Sequence, residues 1–369
     1  MEEKGKRPGQ GPISNESTPP RLEASSLPEV VVDFLIGKGS SGSGGIRTLA
    51  LEGDASDRSY FRLILEGLGE KERDSYVIMK LDRPWEPGGG QEELPFVNIA
   101  RHLSEKGIPV PRVFVDASEE GFVLLEDVGR VTLERHLEKK SSRERRRRYE
   151  FAIEMLVRMQ SEASRASSRP CYALTYAFDP ETFFQELCFF REHALEGLWG
   201  HSISTDNRTE LEEHFRRLCE EISAYPQVFT HRDYHSRNLM VKDDGLVVLD
   251  FQDARLGPIT YDLASLLRDS YVCMSTEEQA ALIATYRELA QRVELPCPDT
   301  TTFQRAFSRT GLQRNLKAIG TFAYQAVVKG VDRYLPSIPN TVNSARLAFE
   351  SAPELASFKR ILQTYVEGL

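Results

Sequence analysis

Residues 229–253 read FTHRDYHSRNLMVKDDGLVVLDFQD, and this stretch decides how the chain is interpreted. Asp233 precedes Asn238 on one polar segment, and Asp250 follows an apolar run further on. Amide and carboxylate oxygens are ligands that Mg2+ prefers, and a further carboxylate can steer the proton of an attacking hydroxyl. The spacing therefore predicts phosphoryl transfer, with Asp233 as the catalytic base and Asn238 and Asp250 as metal ligands.

Two apolar runs within the stretch predict a β-hairpin. Leu239–Val241 and Leu246–Leu249 are separated by the turn sequence Lys-Asp-Asp-Gly. Such a hairpin would fold Asp250 back beside Asn238. Each residue alone would indicate little, because Asp and Asn are common in turns, so the prediction depends on the ordered set.

The composition predicts an intracellular enzyme. With 369 residues, the chain is long enough for two lobes with sizeable cores. A net charge of −9 disfavours nonspecific attraction to nucleic acid. No apolar run approaches the length of a bilayer span and the N-terminus lacks a hydrophobic signal segment, so we expect a cytoplasmic protein with no membrane partner. The 5 cysteines are scattered without C-x-x-C spacing, which indicates reduced thiols.

The N-terminal third predicts a nucleotide-binding lobe. Residues 1–26 are rich in Gly, Pro, Ser and Glu, which is typical of a flexible tail, and residues 27–129 would form the lobe. Strand-like segments cover 46–51, 59–65 and 76–81. The loop between the first two would cover phosphates with backbone N–H groups and the Ser56 hydroxyl, and Lys80 on the third would reach them. The alternatives are a surface hairpin and a solvent-facing lysine.

Two further segments of this lobe carry predictions. Glu92 and Glu93 precede a helix-like stretch at 94–106, where either could orient Lys80 or interact with the helix dipole, and both interpretations stay open. The apolar strand 122–125 ends in Glu126-Asp127-Val128-Gly129, where we expect the hinge. Backbone groups from Glu126 to Val128 would bind the adenine edge, unless this is a plain edge turn.

The region after the hinge, residues 130–369, is predicted to be a helical lobe that holds the catalytic loop and the acceptor site. Apolar spacing of three and four indicates helices at 143–162, 180–198, 209–224, 276–293, 302–329 and 343–366. The fold class is therefore α+β: a two-lobed, protein-kinase-like fold with a small antiparallel β-sheet N-lobe and a large, mostly helical C-lobe. Asp250-Phe251-Gln252 replaces D-F-G and no A-P-E segment follows, which favours a small-molecule acceptor.

Several motifs resemble a known family. HRDYHSRNLM and LDFQDARLGPITYDLASLLRDSY resemble the aminoglycoside and choline kinase superfamily. EGDASDRSYFRL, FVLLEDVG and GLQRNLKAIGTFAY are similar to its anomeric N-acetylmuramate/N-acetylglucosamine kinases of bacterial cell-wall recycling, and the similarity runs from about Leu27 to the C-terminus. The resemblance implies ATP and Mg2+ as cofactors, a free amino sugar as acceptor and a sugar 1-phosphate as product.

The resemblance also implies roles for neighbouring residues. His235 matches the pattern HxDxH, so that it would hold the loop or approach the γ-phosphate. Asp253 would bind metal or sugar hydroxyls, or else bond within its own turn. Asp262 would anchor a helix start against the catalytic loop.

Acceptor contacts and the class of acceptor are less defined. Arg237 and Arg314, with Arg268 and Asn315, are candidate substrate contacts, although arginines in helical lobes commonly form ion pairs. An aminoglycoside or choline-type kinase is one alternative function, and a nucleotide-binding regulator without turnover is another. The oligomeric state cannot be deduced from these motifs.

Overall fold

The computed structural model describes residues 22–39, 45–51, 58–65 and 75–369. These residues divide into two units. The first contains the described residues up to Pro84 together with Ala117–Leu124, and the second contains Trp85–Asp116 and Leu125–Leu369. The lobe boundaries at residues 26 and 129 stay predictions.

A five-stranded sheet lies in the N-terminal part of the described chain. Its strands are β1 (Ile46–Ala50), β2 (Ser59–Leu65), β3 (Ser75–Lys80), β4 (Val113–Ala117) and β5 (Phe122–Glu126), in the order β1-β2-β3-β5-β4. β2 pairs antiparallel with β1, in the register Ile46↔Leu65, and with β3, in the register Ser59↔Lys80. Leu63 and Ile78 are fully buried. The predicted strands are confirmed, and the sheet also contains one strand that we did not predict, β4.

Two short helical elements precede the sheet. Ala24–Ser26 forms a 3-10 turn, and helix α1 (Glu29–Ile36) buries Val31 and Leu35. The Leu22 carbonyl accepts a hydrogen bond of 2.7 Å from the Thr48 hydroxyl on β1. The last residues of the predicted tail therefore contact the sheet, while residues 1–21 lie outside the described ranges.

The second unit is mostly helical. Side-chain caps define several helix starts: Ser141 and Ser275 form capping boxes with Glu144 and Glu278. No helix among the described residues is long and apolar enough to cross a membrane. The helices are α2 (Pro95–Glu105), α3 (Leu133–Leu137), α4 (Ser142–Glu162), α5 (Pro180–Phe190), α6 (Thr205–Ser223), α7 (Tyr261–Leu267), α8 (Thr276–Arg292), α9 (Thr300–Val327), α10 (Ile338–Glu350) and α11 (Ala356–Gln363), and α5 continues as a π-helix over Arg191–Leu198.

The single helix predicted over 343–366 is wrong, because the chain forms α10 and α11 with a break between them. Pro353 lies in this break, at the start of a short 3-10 turn. Proline has no N–H and clashes with the preceding turn, so it does not allow one helix to continue through this point.

Helix α9 is the central element of the unit. Leu312, Leu316 and Ile319 are buried in the main hydrophobic cluster. Gly320 lies against α5 so closely that a Cβ atom there would be 2.7 Å from the Phe190 Cα. The backbones of α5 and α9 are therefore in contact, and α9 has little freedom to move relative to its neighbours.

Two small antiparallel sheets complete this unit. β6 (Gln227–Thr230) pairs with β9 (Arg255–Pro258) in the register Gln227↔Pro258. β7 (Leu239–Lys242) pairs with β8 (Gly245–Val248) in the register Leu239↔Val248. The predicted hairpin is thus confirmed.

Candidate active site

The loop His231–Asn238 connects β6 to β7, and a buried carboxylate fixes its first turn. Asp262, in the first turn of α7, accepts hydrogen bonds from the backbone N–H of His231 at 2.6 Å and of Arg232 at 3.0 Å. Arg232 has a φ of +81°, in the left-handed region that L-residues rarely adopt. An ion pair of 3.1 Å between Arg232 and Glu186 also holds this residue. The prediction that Asp262 anchors the loop is confirmed.

Burial makes the Asp262 carboxylate difficult to ionise. The side chain is fully buried, and this burial raises its pKa to about 6, although His231 and the two backbone N–H groups act in the opposite direction. The anchor of the loop is therefore a titratable group whose pKa lies not far below neutrality.

Asp233 is held at its backbone by the loop itself. Its carbonyl accepts hydrogen bonds from the Asn238 side-chain amide at 2.9 Å and from the His235 N–H at 3.0 Å. Its own N–H donates to His231 Nδ1 at 3.3 Å. The main chain at Asp233 is thereby fixed relative to both ends of the loop.

The carboxylate of Asp233 faces a cation from another element. Lys317 Nζ on α9 lies 3.3 Å from Asp233 Oδ1. Burial would raise the pKa of Asp233, but Lys317, Arg232, His235 and Arg314 outweigh it and hold the pKa far below its ordinary value. The side chain remains 37% exposed, so it is an ionised acceptor that solvent and ligands can reach.

The hairpin places Asp250 next to Asn238 along the ladder. The Leu249 N–H donates to the Asn238 carbonyl at 2.9 Å. Since the Asn238 amide nitrogen is used by Asp233, its amide oxygen is the atom that a cation could bind. Asp250 is exposed, has a φ of +60° and accepts a hydrogen bond of 2.8 Å from the Gln252 amide.

These two oxygen donors fit Mg2+. Across the described residues, no group of three or more His, Cys, Asp and Glu could hold a metal ion. Mg2+ commonly takes one or two protein oxygens, with substrate phosphates and water completing its octahedron. Asn238 and Asp250 could supply this kind of partial site.

Arg237 and His235 share one aromatic neighbour, Tyr271. The Arg237 guanidinium lies 3.6 Å from the centre of the Tyr271 ring and makes two hydrogen bonds, of 2.9 and 3.0 Å, to Glu134 on α3. The His235 ring meets Tyr271 edge-on at 5.4 Å. Arg237 thus links the loop to α3, and its role as an acceptor contact stays a prediction.

The other candidate acceptor residues lie at different depths. Arg314 is buried on α9 and donates from Nε to the Ser265 hydroxyl at 2.7 Å, while its charge helps to lower the pKa of Asp233. Asn315 donates to the Arg268 carbonyl at 3.2 Å, and burial lowers the pKa of Arg268 to about 10. Asp253 is exposed in the turn after Asp250.

Residues of the predicted hinge contact the hairpin. Glu126 forms an ion pair with Lys242, and its N–H donates to the Arg112 carbonyl at 2.8 Å. Val128 packs with Met240 and Val247. The N–H of Glu126 is therefore used by the chain itself, and adenine binding at this segment stays a prediction.

The predicted phosphate-binding residues belong mainly to the other unit. Lys80 is the last residue of β3, with an exposed side chain. Ser56 lies outside the described residues. Glu93 precedes α2, and hydrogen bonds from Asn98 and Arg101 overcome the effect of burial and lower its pKa.

Our sequence reasoning missed Lys317. The sequence signal was limited: Gln313 and Arg314 lie four and three positions before Lys317, which places the three polar side chains on one side of a helix without indicating what they contact. Gln313 donates to Glu186 at 2.8 Å, and Arg232 is the other partner of Glu186. This face of α9 therefore contacts the loop directly at Asp233 and, through Glu186 on α5, is linked to Arg232.

The anchored loop, the hairpin and the helical unit together define a phosphotransferase. The family model described as "Phosphotransferase enzyme family" matches residues 47–303, and the chain belongs to this family. The prediction of a phosphotransferase enzyme is confirmed.

Two relatives that have the same name are similar to this chain over most of its length. The N-acetylmuramate/N-acetylglucosamine kinase of Pseudomonas aeruginosa is 33% identical over 321 residues, which cover 85% of this chain and 87% of that protein. The protein of the same name from Neisseria meningitidis is 32% identical and covers 84% and 87% of the two chains.

Solved structures confirm the predicted fold. A choline kinase from Cryptosporidium parvum has a TM-score of 0.57 at 13% identity, covering 90% of this chain and 97% of that one. A putative aminoglycoside phosphotransferase from Ralstonia eutropha has a TM-score of 0.58 at 15% identity, covering 88% and 98%. At these identities the likeness concerns the fold alone, which is two-lobed α+β.

Proposed function

We propose that the chain transfers the γ-phosphoryl group of ATP to the anomeric hydroxyl of N-acetylmuramate or N-acetylglucosamine, giving the sugar 1-phosphate. The names of the relatives support the amino-sugar acceptor. The observation that carries the chemistry is the ionised, reachable Asp233 carboxylate, on the same loop as Asn238 and next to Lys317. We place this reaction in the cytoplasm, where ATP is available.

Each residue of the site would have a distinct task. Asp233 accepts a hydrogen bond from the sugar hydroxyl and so directs a lone pair of the hydroxyl oxygen toward the γ-phosphorus. Asn238 and Asp250 would hold Mg2+, which would supply positive charge that neutralises the donor phosphates. Lys80 would neutralise further charge on the donor.

The low pKa of Asp233 restricts its role. The nearby cations that lower the pKa of Asp233 keep its carboxylate ionised at neutral pH, where it can accept a hydrogen bond from the hydroxyl. In a loose transition state the nucleophile needs little activation before phosphorus is reached. Asp233 therefore orients the hydroxyl and receives its proton late in the transfer.

The test is a panel of acceptors. ATP consumption with Mg2+ is measured with N-acetylmuramate, N-acetylglucosamine, other hexoses, choline and aminoglycosides, and 31P NMR identifies the product. We expect an anomeric phosphate on an N-acetyl sugar. Phosphate on choline or an aminoglycoside would overturn the acceptor assignment, and no transfer to any acceptor would favour a regulator without turnover.

Asp233→Asn tests the role of the carboxylate. We expect the kcat of this variant to fall at least about 1,000-fold while its affinity for ATP stays unchanged, because in the proposed reaction Asp233 contacts the acceptor hydroxyl and not ATP. Asp332→Asn, which removes an exposed carboxylate, is the matched control. Near wild-type turnover in Asp233→Asn would refute the assignment.

A further inference from the structure

We infer that Lys317 is a positioning residue for the transfer reaction, holding one oxygen of the Asp233 carboxylate so that the other oxygen faces the acceptor hydroxyl. The inference rests on the proposed function, in which Asp233 receives that hydroxyl. The inference extends that function by identifying the group that orients the carboxylate.

Asp233 has a fixed backbone, but within the described part of the chain one hydrogen bond restrains its side chain. Asn238, His235 and His231 all bond to its main-chain atoms. Among the described residues, Lys317 alone forms a hydrogen bond to the carboxylate, at 3.3 Å to Oδ1. Without this contact, the carboxylate could rotate about its side-chain torsions, and the direction of its lone pairs would not be defined.

The surroundings of Lys317 restrict its side chain. Its side chain is only 18% exposed, unlike that of a solvated surface lysine. On either side of it, Leu316 and Ile319 are buried in the main core of the unit. The ammonium group is therefore presented to Asp233 from a helix that has no room to shift.

Helix α9 also restrains the residue before Asp233, through Glu186 on α5. Gln313, one turn before Lys317, donates to Glu186 at 2.8 Å. Glu186 in turn accepts a hydrogen bond of 3.1 Å from Arg232, the residue with the left-handed backbone. The same helix face thus sets the strained turn and the carboxylate that follows it.

A positioning role predicts a specific kinetic pattern. A misdirected carboxylate lowers the rate of transfer but leaves the donor site intact, so kcat should fall and KM for ATP should not change. Loss of orientation of this kind costs about 100-fold. Substitution of Lys317 should therefore lower kcat only when residue 233 carries a carboxylate.

The experiment is a double-mutant cycle on the full-length chain, with Lys317→Met, Asp233→Asn and the double variant. Initial rates of transfer of labelled phosphate from ATP, at saturating substrates, are measured on the acceptor that the wild type phosphorylates best. We expect Lys317→Met to lower kcat about 100-fold in the wild-type background but less than about threefold in the Asp233→Asn background. Lys317→Arg, which keeps the charge, should regain at least about tenfold of the loss.

Controls separate positioning from folding. Lys329→Met removes an exposed lysine beyond the end of α9 and should leave kcat unchanged. If Lys317→Met does not fold, as judged by its melting temperature, Lys317→Gln replaces it in the cycle.

Two results would overturn the inference: a kcat for Lys317→Met equal to that of Lys329→Met, or an equal loss in both Asp233 backgrounds. The proposed function fails differently, since it is refuted when Asp233→Asn keeps its turnover or the wild type phosphorylates no amino sugar.

Discussion

The buried anchor of the catalytic loop predicts an unusual pH dependence of stability. Asp262 has a folded-state pKa of about 6 against an ordinary value of 3.8, so the folded protein binds a proton here that the unfolded chain releases. This contribution to stability is fully present below pH 3.8 and is lost as the pH rises through 6. Asp262→Asn removes the titration while keeping the shape of the side chain.

The size of the effect follows from the two pKa values. The difference between 3.8 and about 6 corresponds to about 3 kcal/mol, at 1.36 kcal/mol for each pKa unit. Roughly 2 kcal/mol of this falls between pH 4.5 and 7.5 when the linkage relation is integrated over that range. Across this window, the wild type should lose about 2 kcal/mol relative to Asp262→Asn.

Urea unfolding at several pH values, followed by tryptophan fluorescence, measures the difference. Both tryptophans, Trp85 and Trp199, lie in the same unit as Asp262, so the signal reports on that unit. Asp332→Asn controls for the loss of one exposed carboxylate. Parallel stability curves for the wild type and Asp262→Asn would refute the reasoning, and so would a difference that grows in the opposite direction.

Three further predictions concern the metal site, the helix packing and the loop contact. Asp250→Ala should raise the Mg2+ concentration needed for half-maximal activity at least about tenfold, because one oxygen ligand is lost, and an unchanged Mg2+ titration would contradict its role. Gly320→Ala should destabilise the protein by about 1–3 kcal/mol in urea unfolding, since its Cβ would lie 2.7 Å from the Phe190 Cα, and unchanged stability would refute the close packing. Arg237→Lys should lower stability by about 1 kcal/mol through loss of the two-point contact with Glu134, and unchanged stability would contradict that contact; if Arg237 also contacts the acceptor as predicted, KM for the acceptor should rise.

Local patterns were sufficient for much of the fold. The hairpin was predictable because two apolar runs flank a turn of Asp and Gly, and its observed register pairs Leu239 with Val248. The start of α8 carries its own capping box at Ser275 and Glu278, so a short stretch of sequence determines it. The break between α10 and α11 was not predicted, because apolar spacing continues across Pro353.

The proximity of the candidate site residues was predictable only where they are close in sequence. Asp233, Asn238 and Asp250 belong to one stretch, and local hydrogen bonds bring them together. Lys317 reaches Asp233 from a helix that is distant in sequence, and only the packing of α9 determines that contact. The spacing of residues within one stretch can be deduced from a single sequence, whereas a contact between distant stretches depends on how the helices pack.

The position of α9 has a consequence for what counts as a complete catalytic module. The match to the family model ends at residue 303. Helix α9 begins at Thr300, so Lys317 and nearly all of its helix lie beyond the matched region. A fragment cut at that boundary would keep every residue of the recognisable motif and lose the helix that supports the loop from outside it. Expression fragments, domain fusions and motif-based transplants of this enzyme should therefore extend through Val327 at least.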